Sequence, residues 1–69
     1  MNDSKRDILT CLCLLTLGSP PLFLEGEVYL LNRVMTVPEV VAVVKSSRKP
    51  LTDYQRRLVE DGTKFLLAG

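Results

Sequence analysis

The run from Ile8 to Leu17, Ile-Leu-Thr-Cys-Leu-Cys-Leu-Leu-Thr-Leu, constrains the chain more than any other stretch. Two threonine hydroxyls are its only strongly polar side-chain groups. Read as a helix, it places Ile8, Cys11, Leu12 and Leu15 on one side. Leu9, Cys13 and Leu17 wrap the flank, and Leu14 lies between the two groups. A helix apolar nearly all round has to be covered on most sides. With 69 residues there is little material to cover it, so the run points to a partner chain.

Size sharpens the point. One small domain over residues 1–69 is the natural count. Such a chain buries only about 60% of its unfolded surface and commonly needs disulfides, a metal or oligomerisation. Cys11 and Cys13 are the only cysteines and would point to nearly opposite sides of a helix. They read as free thiols, which suits a reducing cytosol. With no histidine and one C-x-C pair, a structural metal is not expected, and no cofactor is implied. A second polypeptide or a second copy of the chain remains.

The apolar run is too short to span a bilayer, which takes about 20 residues. Asp3 and Asp7 cancel Lys5 and Arg6, and no small-x-small cleavage pattern follows. It therefore reads as a soluble core helix rather than a signal peptide, and the chain as cytoplasmic.

Local signals predict an all-α fold of four short helices. Ser4 and Asp7 form an S-x-x-D cap for a first helix that ends at Gly18. Ser19-Pro20-Pro21 turns the chain into a second helix over 21–35, where Leu24, Val28, Leu31 and Met35 are spaced four, three and four apart. Gly26 inside it suggests either close approach of another helix or a tolerated glycine near a helix start. Thr36-Val37-Pro38-Glu39 caps a third helix through the valine-rich run 40–44. That run could equally be a buried strand, but the cap favours helix, and no other segment alternates with period two. After a basic loop over 45–50, Thr52 to Gln55 caps a fourth helix. Its apolar side is Tyr54, Leu58, Phe65 and Leu66, beside Val59 and Gly62, with a possible break at Asp61-Gly62.

Catalysis finds little support. No histidine can serve as general base, the serines 46 and 47 lie in an exposed loop, and the glycines form no phosphate-cradling pattern. The chain is read as a non-enzyme. The net charge of +1 is too small to attract polyanions at long range, but its distribution is uneven. Five bases and only Asp53 fall between Lys45 and Arg57. Two helices around that stretch suggest a helix-turn-helix regulator in which Arg48, Lys49, Gln55, Arg56 and Arg57 face nucleic acid. Against this, the turn is longer than usual and lacks glycine. A protein-binding module fits more of the residues: an aliphatic groove for an amphipathic helix, or an obligate homodimer. An inhibitor of a host protein, as phages make, would look the same.

The segment from Lys5 to Ser47 resembles the small TPR-like co-chaperones of type III secretion needle subunits. The features are Cys11-Leu12-Cys13-Leu14-Leu15-Thr16-Leu17-Gly18, a proline-bearing turn, Leu30-Leu31 in an apolar second helix, and Pro38-Glu39 opening the third. The distance from Gly26 to Pro38, with Leu30 between, matches that from the small residue of a TPR to its terminal proline. Arg33 stands where a TPR has alanine, and Phe23 at the small-residue position counted from Gly18. The resemblance implies a TPR-like helical hairpin and a cytosolic helper that holds the amphipathic helix of a secreted subunit, together with a small helical co-chaperone. Carried onto this chain, the groove would be lined by Leu12, Leu15, Leu31, Val34, Val40, Val41 and Val44.

Overall fold

The computed structural model describes residues 3–68. Three helices and one small sheet follow in the order α1 (Asp3–Leu17), β1 (Leu22–Leu24), β2 (Glu27–Leu30), β3 (Arg33–Met35), α2 (Val37–Lys45) and α3 (Asp53–Leu67). The all-α, TPR-like expectation is therefore corrected: the fold is mixed α/β, and the expected second helix is a β-meander.

The reason lies in two turns. Glu25 and Gly26 have φ of 53° and 79°, and Leu31 and Asn32 have 53° and 65°. Consecutive positive φ values in two-residue connections are the mark of type I′ hairpins, whose twist matches that of the strands they join. No helix can pass through such residues. Gly26 is there for its φ: a Cβ at that position would meet nothing within 4 Å, so neither a close helix nor a helix start accounts for it.

The strands pair antiparallel in the order β1-β2-β3. Val28 lies opposite Phe23 on one side and Met35 on the other, and Tyr29 opposite Leu22 and Val34. Alternation therefore puts Phe23, Val28, Leu30 and Met35 on the inner face and Leu22, Leu24, Tyr29 and Val34 on the outer. Val28, Leu30 and Met35 are buried in one core with Leu9, Leu12 and Cys13 of α1, Val40, Val41 and Val44 of α2, and Val59 and Leu66 of α3. Arg6 of α1 lies over the Phe23 ring, 5.5 Å from its centroid.

The helix ends follow their side chains. Thr36 and Glu39 form a reciprocal capping box, as do Thr52 and Gln55. The valine run is a helix. Gly18, at φ 71°, closes α1 by donating to Cys13 and Leu14 carbonyls. At the other end, Asp3 and Ser4 are already helical, so Ser4 is not the N-cap. Residues 1 and 2 lie outside the described range, as does Gly69 at the expected frayed end.

Two further expectations are corrected. Helix α3 does not break at Asp61-Gly62 but runs unbroken to Leu67. Its buried stripe is Val59, Thr63 and Leu66, leaving Tyr54, Leu58 and Phe65 exposed. The stripe is rotated because α1 approaches at Gly62, where an added Cβ would stand 3.0 Å from Leu12 Cδ1. On α1 the buried stripe is Leu9, Leu12, Cys13 and Thr16, with Leu14 and Cys11 exposed. The helix is thus covered on one side only. Among the described residues, no helix is long and apolar enough to cross a membrane.

Candidate functional site

The seven residues expected to line a groove do not come together on a surface. Leu12, Val40, Val41 and Val44 are core residues, at most 3% exposed. Leu15 is half-buried on α1. Leu31 and Val34 alone are open to solvent, in and beside the β2–β3 turn. Val40, Val41 and Val44 are taken up by the small core, which leaves only Val37 and Val43 of α2 half-buried.

Leu31 and Val34 belong instead to the outer sheet face. There Leu22, Leu24, Leu31 and Val34 are 54–59% exposed. Leu22, Leu24, Tyr29 and Leu31 line one shallow hollow of about 430 Å³, rimmed by Ser19, Pro20 and Asn32. Tyr29 Oη donates to Glu27 Oε2 at 3.2 Å along the same face, a bond that raises the phenol pKa. Scattered exposed leucines are ordinary on a small protein. Apolar side chains gathered on one sheet face are not, because a sheet apolar on both faces needs a layer on each. Sequence reasoning missed this face because it follows from strand alternation, and the segment read as helix.

Leu31 adds a second signal. A bulky residue at positive φ is uncommon and costs energy, which marks positions held for another purpose. Its neighbour Asn32 suits that conformation; Leu31 does not.

Of the bases assigned to nucleic acid, Arg48, Lys49 and Arg56 line a cleft of about 510 Å³ between the α2–α3 loop and the two helices. Lys45 and Lys64 line it too. Arg57 is not among its lining residues. Gln55 is half-buried, and its Oε1 accepts the Thr52 backbone N–H at 3.0 Å. Its side-chain oxygen is therefore committed to the cap. The connection from Ser46 to Thr52 is too long for the tight turn of a helix-turn-helix. Its path is nonetheless fixed: Ser47 Oγ donates to the Thr16 carbonyl at 2.7 Å, and the Lys49 N–H donates back to Ser47 Oγ at 3.3 Å.

A third concave surface lies between α1 and α3, where Ile8, Cys11, Leu12, Leu58, Gly62 and Phe65 enclose about 260 Å³. Cys11 is exposed there, whereas Cys13 is buried, and burial pushes its thiol pKa up to about 11. Cys13 is thereby a packing residue, since the thiolate is the reactive form. No family model matches the chain, and neither a curated protein nor a solved structure is significantly similar to it.

Proposed function

We propose that this chain is a non-catalytic protein-binding module that takes an amphipathic helix of another polypeptide on the outer face of its β-meander. The observation that carries this reading is the exposed apolar set Leu22, Leu24, Leu31 and Val34 around Tyr29, on a sheet whose inner face is already covered. The dimensions favour one helix as the occupant. Strands of three and four residues span roughly 10–14 Å, and three of them lie about 10 Å across. A single helix is about 10–12 Å wide with its side chains. Two free thiols suit a cytoplasmic site of action.

The test is site-specific photo-crosslinking in the native host, with a benzophenone amino acid at Leu24 and, as control, at exposed Tyr54 on α3. The expected product joins Leu24, and not Tyr54, to one apolar-faced helical segment of another protein, and Val34→Lys removes it with helicity unchanged. A product joining two copies of this chain, or none at Leu24, overturns the reading.

A further inference from the structure

The cleft between α2, its following loop and α3 is not used by the sheet face, and its charge is unlike that of the rest of the chain. Lys45, Arg48, Lys49, Arg56 and Lys64 line it, against Glu60 alone. Five positive charges and one negative give +4 in the cleft. The whole chain carries nine bases and eight acids, a net of +1, so everything outside the cleft sums to −3. The segregation is built by the fold, since Lys45 and Lys64 stand nineteen positions apart in sequence and meet only because α2 and α3 pack together.

Little in the protein neutralises these charges. Arg56 approaches Asp53 at 4.0 Å, the only ion pair that any of the five makes among the described residues. A concave surface lined by charges of one sign focuses their field and concentrates anions there. Two of the five ride on a fixed backbone, because Ser47 ties the loop to the Thr16 carbonyl and accepts from the Lys49 amide. The cleft floor is apolar, with Val44 and Val59 buried beneath it. Its volume of about 510 Å³ lies within the range of small-ligand sites. No aromatic ring lines it, so there is no platform for a base, and Gln55 is held in its cap. What is left is recognition by charge and hydrogen bonding to oxyanions.

We propose that this cleft is a binding site for a ligand presenting several contiguous phosphates, read without regard to base sequence. Two sources share that chemistry: the phosphodiester backbone of a nucleic acid and a small polyphosphate. Lysines supply mobile point charges and the two arginines supply forks that can grip a phosphate bidentately.

The experiment is fluorescence anisotropy of the full chain with a labelled mixed-sequence 12-nucleotide single strand, the same label on a duplex, and tripolyphosphate as competitor. With three or four phosphates neutralised, affinity for the single strand is expected to fall about 20- to 50-fold between 50 and 200 mM salt. The double variant R48A/K49A flattens the log–log slope by about 1.4, and Lys64→Gln, on a different element, weakens binding in the same way. Arg57→Ala, outside the cleft, leaves binding unchanged. Displacement by tripolyphosphate at equal phosphate concentration identifies a small polyphosphate as the ligand; resistance to it identifies the nucleic-acid backbone. Absence of binding to both labelled strands at 50 mM salt overturns the proposal. So does binding that R48A/K49A and Lys64→Gln leave intact, or that Arg57→Ala weakens equally.

Discussion

The Cβ that Gly62 lacks would lie 3.0 Å from Leu12 Cδ1 and 3.3 Å from Ile8 Cγ2, so α1 and α3 meet where one of them has no side chain. Leu12 is 2% exposed and cannot swing away into solvent. Two effects oppose each other in Gly62→Ala: alanine gains about 1 kcal/mol of helix propensity, and overpacking costs about 1–3 kcal/mol. The clash wins by a small margin. Urea denaturation is expected to show a loss of about 1 kcal/mol, and Gly62→Val a larger one. A stabilised Gly62→Ala would mean that the contact has slack.

That contact also shows what the sequence does and does not reveal. The helix-ending signals are local and could be read directly: Thr36 with Glu39, Thr52 with Gln55, and Gly18. Gly62 was legible only as a suspected break, because its meaning depends on which helix lies opposite. The meander was hidden by coincidence. Leu24, Val28, Leu31 and Met35 keep a helical spacing, yet Val28 and Met35 are cross-strand neighbours while Leu24 and Leu31 face solvent. Strands of three or four residues are too short to establish a period. The informative residues were the turn formers Gly26 and Asn32, six positions apart. Of the basic cleft, Lys45, Arg48, Lys49 and Arg56 stood out as a charge run. Lys64 joins them only through the phase of α3.

The α2 cap makes stability depend on pH in a direction that can be worked out. Glu39 Oε1 accepts from the Thr36 backbone N–H and from Thr36 Oγ1, each at 3.0 Å. Those bonds hold its carboxyl pKa below the ordinary value of 4.5. A lowered native pKa means that the ionised form is the one that folding favours. Its contribution is complete above the unfolded value and disappears as pH falls through the native one. The difference in melting temperature between the parent and Glu39→Gln is therefore expected to be constant near neutrality and to shrink below about pH 4.5. A difference that grows on acidification would contradict the capping role.

The two cysteines should differ sharply toward a thiol reagent. Cys11 is exposed, and Cys13 is fully buried with its pKa raised to about 11. At pH 7.5 a maleimide is expected to modify one thiol per native chain, at Cys11, and two after unfolding in guanidinium. The Cys13 adduct should appear at the rate at which the core opens. Rapid double labelling of the native protein would show that α1 is not packed as described. Cys13→Ala, which removes a buried sulfur between α1 and its neighbours, should cost stability without changing reactivity at Cys11.

Leu31 separates stability from binding in one substitution. Its φ of 53° costs an L-residue with a bulky side chain about 1–2 kcal/mol, and its 57% exposure returns little through packing. Asparagine tolerates that conformation because its short side chain can bond locally. Leu31→Asn is therefore expected to raise stability by about 0.5–1 kcal/mol, seen as a higher urea midpoint at unchanged slope. The same change removes one of the apolar side chains from the outer sheet face, so crosslinking from Leu24 to the partner helix should fall. A variant that is more stable and binds less well would show that the turn carries its strain for the sake of the docking face. A variant that loses stability would show that Leu31 packs within the protein, which would undercut its assignment to the partner.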